Sequence, residues 1–204
     1  MSVCNWPGNN QIMQKYHEEE WCVPSYDDTY IFEMINLEGA QAGLSWSIIL
    51  SKREDYKKAF HNFDISYCSE LSDEEIENIR LNYNVIKNSL KLKAVRSNAL
   101  AVKMIQAEYG SFADYLWKFT NYQPMINQWS TETQMPAQSE LSEQISKDLK
   151  KRNFKFVGPV IIYSFLQAIG MIDDHIITCP YHTRNREKLS GDDIGSIANR
   201  KSEM

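Results

Sequence analysis

The most specific chemistry in the 204-residue sequence lies in four cysteines (Cys4, Cys22, Cys68, Cys179) and four histidines (His17, His61, His175, His182). Cys4 precedes His17 by 13 positions, and His175 precedes Cys179 by four. A four-residue step places two side chains on one face of a helical turn, a common way to offer two ligands to one metal. Two such pairs from opposite ends of the chain would make a tetrahedral set of two cysteines and two histidines, suited to zinc. Four such ligands would leave no open position for a catalytic water. On spacing alone a second reading stands beside this one: the cysteines as small hydrophobes and the histidines as satisfied core or surface groups. No C-x-x-C pair occurs, which excludes thioredoxin chemistry and a zinc ribbon.

A second candidate is Glu38. Ile31, Ile35 and Ala42 recur at steps of four and seven, and Glu38 falls inside that series. At 3.6 residues per turn it sits near the middle of an apolar stripe. A carboxylate there must be paired, neutralised or serving a ligand, because an unpaired buried charge is too costly. Burial would raise its pKa. Glu18, Glu19 and Glu20 read by contrast as a solvated face. Trp6, Tyr16 and Trp21 crowd the N-terminal region, and Gly43 would break the helix and expose Leu44 and Trp46. Aromatics around a carboxylate suit a flat heterocycle, stacked on its faces and hydrogen-bonded at its edge. A buried salt bridge for Glu38 and core packing for the aromatics are the plainer reading.

The third candidate is Lys150-Lys151-Arg152-Asn153-Phe154-Lys155-Phe156-Val157-Gly158-Pro159, between two helical segments. Gly158 permits a tight turn, and Pro159 suits the first position of a helix. Free N–H groups at that helix start would bind an anion, with Lys151, Lys155 and Arg152 adding phosphate contacts. This reads either as a phosphate anchor without base specificity or as a plain interhelical turn.

The elements that must position these groups are nearly all helical. Apolar periodicity predicts helices over 9–21, 28–42, 52–60, 73–81, 84–108, 111–118, 140–151 and 159–169. Ser72 with acidic residues behind it starts one helix, and Gly110 and Gly170 close two others. The stretch from Gln123 to Ser139 reads as a long loop, and the polar tail over 183–204 as disordered. The length suits one domain, here 1–182, with a core large enough to need no disulfides. No apolar run approaches the roughly 18 residues that span a bilayer, and the start shows no signal-peptide pattern. The expectation is a cytoplasmic monomer with no membrane partner.

The net charge of −5 argues against a protein that coats nucleic acid. Its distribution weakens that argument. Residues 1–40 hold seven acidic side chains and one basic, whereas residues 146–156 hold five basic and one acidic. Binding through the second segment would weaken sharply with salt.

Longer motifs point to a family. They are Cys4-Asn5-Trp6, Tyr16-His17-Glu18-Glu19-Glu20-Trp21-Cys22-Val23-Pro24, Phe32-Glu33-Met34-Ile35 and Leu37-Glu38-Gly39-Ala40-Gln41-Ala42-Gly43-Leu44-Ser45-Trp46. Lys52-Arg53-Glu54, Phe154-Lys155-Phe156-Val157-Gly158, Tyr163-Ser164-Phe165-Leu166-Gln167-Ala168 and Asp174-His175 follow in order. Together they resemble the DNA-3-methyladenine glycosylase I family over residues 1–182. The resemblance implies an all-α fold of the helix-hairpin-helix glycosylase superfamily, with a structural zinc held by Cys4, His17, His175 and Cys179 joining the two ends. It implies a monofunctional glycosidase of base excision repair. Such an enzyme removes 3-methyladenine from alkylated double-stranded DNA and leaves an abasic site. Glu38 would be the catalytic residue, and Tyr16, Trp46, Trp6 and Trp21 would bind the base. Gly43 and Leu44 would wedge the duplex open, and Lys151, Lys155 and Gly158 would hold the DNA backbone. Asp173 and Asp174 stand where superfamily relatives place a catalytic Asp; beside a zinc ligand, Asp174 reads as structural.

Two rivals remain at this stage. A non-catalytic, zinc-stabilised DNA-binding module would need neither the buried Glu38 nor the aromatic pocket. A helical metalloenzyme would need an open coordination position that four Cys/His ligands do not leave.

Overall fold

The computed structural model describes residues 3–189. Its helices are α1 (Gln11–Glu19), α2 (Asp28–Gln41), α3 (Trp46–Ala59), α4 (Ile65–Glu70), α5 (Asp73–Asn82), α6 (Ser89–Tyr109), α7 (Phe112–Trp117), α8 (Glu140–Lys151), α9 (Pro159–Ala168) and α10 (Thr183–Leu189). The expected all-helical architecture is found, with one small exception. Met125–Ile126 (β1) pairs in parallel with Ile172–Asp173 (β2), inside the stretch expected to be a plain loop.

Helix α2 is the axis of the core. Every residue from Ile31 to Ala40 is buried, so the helix is enclosed on all sides rather than on one stripe. It packs on α3, α6, α7 and α9. Each large apolar side chain so enclosed stabilises the fold by roughly 1.5–3 kcal/mol relative to exposure. Three polar side chains ride on α2 inside this core, and their fates differ. Glu33 accepts from Arg53 Nε at 2.6 Å. Asn36 donates to its own helix at Phe32 O, 2.8 Å, and accepts from Asn98 on α6 at 2.9 Å. Glu38 Oε2 has no hydrogen-bond partner among the described residues.

Local chemistry sets the boundaries. Asn88 accepts from the backbone N–H groups of Leu90 and Lys91 and caps α6, which therefore begins at Ser89 and not at 84. Gly110, at φ +92°, ends it. Ser72 and Glu75 form a reciprocal capping box at α5. Helix α3 begins at Trp46, six residues before the apolar period predicts, and α4 was too short to show a period.

Three further expectations are corrected. Glu18 and Glu19 are exposed, but Glu20 is not part of a solvated face: both its oxygens accept from Arg53 Nη1 at 2.8 Å. His175 and Cys179 do not share a helical turn; residues 174–182 are irregular backbone with short turns, and Cys179 N–H donates to Ile176 O at 2.8 Å. The polar tail is ordered over Thr183–Leu189, because Thr183 donates through both its N–H and hydroxyl to Asp173 Oδ2 and Asn185 donates to the carbonyls of Ile177 and Cys179. The remainder of that expectation, over 190–204, lies outside the described residues.

Candidate active site and its neighbouring thiol cluster

The unpartnered Glu38 opens into a cavity of about 320 Å³. Its walls include Trp6, Tyr16, Trp21 and Trp46, so all five side chains singled out for the base site meet at one place. The glutamate comes from the last turn of α2, Tyr16 from α1 and Trp46 from the first turn of α3. The rings meet edge to face: Trp6 and Trp21 have centroids 5.0 Å apart, and Tyr16 and Trp46 are 5.4 Å apart. Burial alone pushes the Glu38 carboxyl up to about 8. The indole nitrogens of Trp6 and Trp46 are also buried without a partner among the described residues. A volume of this size, apolar on its faces and with a few unpaired polar atoms, fits a purine.

Sequence reasoning missed several lining residues: Gln41, Glu132, Met135, Ser164 and Gln167. Glu132 comes from the long loop, where it accepts from the backbone N–H of Asn5 and, at 3.1 Å, that of Trp6. It thus fastens the N-terminal strand of chain that carries Trp6. Pairing between an N-terminal segment and a distant loop leaves no periodic signal.

A second hollow of about 160 Å³ adjoins the first and shares Glu38, Gln41 and Ser164 with it. Gly43 and Leu44 line it, opposite Val160 and Ile161 of α9. Gly43 has φ +79°, a conformation that favours glycine, and Leu44 next to it is exposed. Lys91 supports this turn. Its ammonium donates to Ala40 O at 2.8 Å and Ala42 O at 2.7 Å, a cation on the C-terminal carbonyls of α2.

The segment between α8 and α9 departs in two ways from its sequence reading. Gly158 has φ −64° and caps α9 in an ordinary extended conformation, while the left-handed positions are Asn153 (φ +69°) and Phe156 (φ +55°). Arg152 is not free for phosphate. It donates to Glu108 and Asp148 and lies over the rings of Tyr109 and Tyr115. Lys151 and Lys155 are exposed, and the start of α9 has no side-chain cap.

On the other side of Trp6 and Trp21 lies the thiol cluster. The donor atoms of Cys4, His17 and Cys179 lie within 4.8 Å of one another, all buried. The Cys179 sulfur faces His17 Nε2 at 3.7 Å, and the two thiols are close enough that ionising one disfavours ionising the other. His175 is not within that distance set, but its ring centroid is 4.8 Å from that of His17. Its Nδ1 faces Asp173 Oδ1 at 2.8 Å, while its Nε2 is buried with no partner among the described residues. A histidine held by a carboxylate at one nitrogen and free at the other is a common arrangement for a metal ligand. Asp173, and not Asp174, therefore orients His175. Asp174 is fully buried and accepts from Asn127 and Trp129 on Oδ1 and from Tyr163 and Gln167 on Oδ2. Four donors occupy both its oxygens, so Asp174 is tied to the long loop and to α9 and not to the histidine beside it.

Comparison with known proteins agrees with this geometry. A family profile described as methyladenine glycosylase matches residues 6–182. The DNA-3-methyladenine glycosylase 1 of Escherichia coli K12 is 39% identical over 186 residues, 91% of this chain and 100% of that protein. The DNA-3-methyladenine glycosylase of Haemophilus influenzae is 39% identical over 88% of this chain and 97% of its own length. The 3-methyladenine DNA glycosylase I of Staphylococcus aureus, solved to explain 3-methyladenine recognition, superposes with a TM-score of 0.86 at 34% identity, covering 89% of this chain and 97% of that one. The chain belongs to the methyladenine glycosylase family.

Proposed function

We infer that this protein hydrolyses the N-glycosidic bond of 3-methyladenine in alkylated DNA, as a monofunctional glycosylase of base excision repair. The observation that carries the reading is the buried Glu38, its Oε2 unpartnered among the described residues, in a cavity with room for a purine and walled by Trp6, Tyr16, Trp21 and Trp46. A methyl on N3 makes the purine cationic while it is still attached to the sugar. The bond from N9 to C1′ is weakened, and the base leaves neutral. A water oxygen joins C1′, the C1′–N9 electron pair returns to the purine, and the water proton goes to solvent. The enzyme has no need to protonate this leaving group. What it must do is extract the nucleotide and hold the charged base.

In this reading the base is stacked against Trp46 and its neighbouring rings, where cation–π attraction favours the methylated form over ordinary adenine. Glu38 accepts from the N6 amino group and Tyr16 donates to N7. An empty pocket keeps Glu38 largely protonated at neutral pH; a cationic purine beside it lowers its pKa and draws out the carboxylate. Gly43 and Leu44 fill the gap in the duplex. Helices α8 and α9 act as a helix-hairpin-helix unit, with Lys151, Lys155 and the uncapped start of α9 at Gly158 on the phosphates.

We also propose that Cys4, His17, His175 and Cys179 hold a structural zinc. The buried donor atoms of Cys4, His17 and Cys179, within 4.8 Å of one another, and the free Nε2 of His175 support it, and a closed set of two sulfurs and two nitrogens would tie the N-terminal segment to the region after α9.

The test is chromatography of bases released from alkylated duplex DNA. Neutral 3-methyladenine as the major product is expected, without strand nicking. Release chiefly of 7-methylguanine or hypoxanthine, or nicking that copurifies with activity, would overturn the assignment.

A further inference from the structure

A buried chain of amides connects the glutamate helix to the basic turn, and neither the base pocket nor the thiol cluster uses it. Asn98 on α6 is 1% exposed. Its side chain donates to Asn36 Oδ1 on α2 at 2.9 Å and accepts from the backbone N–H of Lys155 at 2.8 Å. A longer contact of 3.4 Å runs from its amide nitrogen to Lys155 O. Asn36 closes the chain on its own helix at Phe32 O. Three residues beyond Asn36 on the same helix, Gly39 meets the same basic segment. A Cβ there would lie 3.1 Å from Phe156 Cβ and 3.4 Å from Phe156 O. Phe156 itself has φ +55°. So one face of α2 holds the turn by an amide relay at Asn36 and by close approach at Gly39, and Glu38 lies between them in sequence, on another face of the same helix.

We propose that Asn98 is a positioning residue that fixes the DNA-backbone anchor to the glutamate helix. Gripping the backbone through Lys155 and presenting Glu38 to the extracted base then become properties of one rigid unit. Apolar side chains could fill the same space, but they would not specify the register between Lys155 and α2. A satisfied polar network inside a core does specify such a register. The proposal rests on the glycosylase reading of the pocket, and the experiment separates the two.

Asn98→Leu removes all three of its hydrogen bonds at nearly the same volume. Gly39→Ala keeps the relay but presses on Phe156 from the other contact. Four quantities are measured for each: quenching of tryptophan fluorescence by free 3-methyladenine, KM and kcat on methylated duplex, and the salt dependence of duplex binding. Both variants are expected to bind the free base within about twofold of wild type. Their KM for duplex should rise about tenfold, with kcat within about threefold and a shallower salt slope. Asn98 would be only a core amide if free-base binding and kcat fall as far as KM rises, or if neither variant changes KM. Should Asn98→Leu fail to fold, Gly39→Ala alone decides the outcome. Failure of the wild-type protein to release the base would instead strike the functional reading itself.

Discussion

Glu38 and Asp174 are two buried carboxylates that meet one residue in common. Gln167 lines the Glu38 cavity and donates to Asp174 at 2.6 Å. Asp174 has four donors on its two oxygens, whereas Glu38 Oε2 has none among the described residues. Burial is therefore not what distinguishes these two carboxylates; satisfaction is. A carboxylate whose acceptor positions are all filled has nothing left for a ligand and serves the fold. One left bare in a cavity costs the fold and is explained by what enters the cavity.

The largest expected break in this comparison lies on the structural side. If the thiol cluster holds zinc, stripping it with a chelator should lower the thermal midpoint by more than about 10 °C and release one metal per chain. An unchanged midpoint with no metal released would contradict the zinc proposal. Next comes Asp174→Ala, which strands four donors at once. A loss of about 3 kcal/mol or more is expected, read as a midpoint lower by roughly 10 °C. A variant as stable as wild type would show that the four hydrogen bonds are not what holds this segment.

The pH dependence sharpens the contrast from the other side. Burial pushes the Glu38 carboxyl from 4.5 up to about 8, so between those values the folded protein holds a proton that the unfolded chain has lost. Its contribution to stability is therefore full at or below about 4.5, declines as pH rises through the window, and levels off above about 8. Glu38→Gln lacks that slope. Relative to wild type, the variant should gain up to ~4 kcal/mol in unfolding free energy between about pH 5 and pH 8. Parallel curves for the two proteins would place the Glu38 carboxyl in an ordinary solvated state.

Much of the pocket was legible in the sequence because its signals are local. Glu38 stands in an apolar run, and Trp6, Tyr16, Trp21 and Trp46 cluster around it within the first 46 residues. The apolar period also placed most helices. What was hidden is non-local. The donors to Asp174 come from the long loop and from α9. The partners Asn36 and Asn98 are 62 residues apart. The β1–β2 pair has two residues a side, too few for an alternation to show. Arg152 looked like a phosphate ligand by its neighbours in sequence, but Glu108 and Tyr109 of α6 claim it in space. A basic residue is available to DNA only where no acidic partner from another element reaches it first.

The central claim is that Glu38 is left unsatisfied for the sake of the base. Glu38→Gln tests it most directly, through kcat/KM for release of 3-methyladenine from methylated duplex at neutral pH, with the thermal midpoint measured alongside. The account predicts a fall of about 10- to 100-fold, the weight of one hydrogen bond to a charged group at roughly 1.5–3 kcal/mol, with a midpoint at or above that of wild type. Release at the wild-type rate from a correctly folded variant would contradict it.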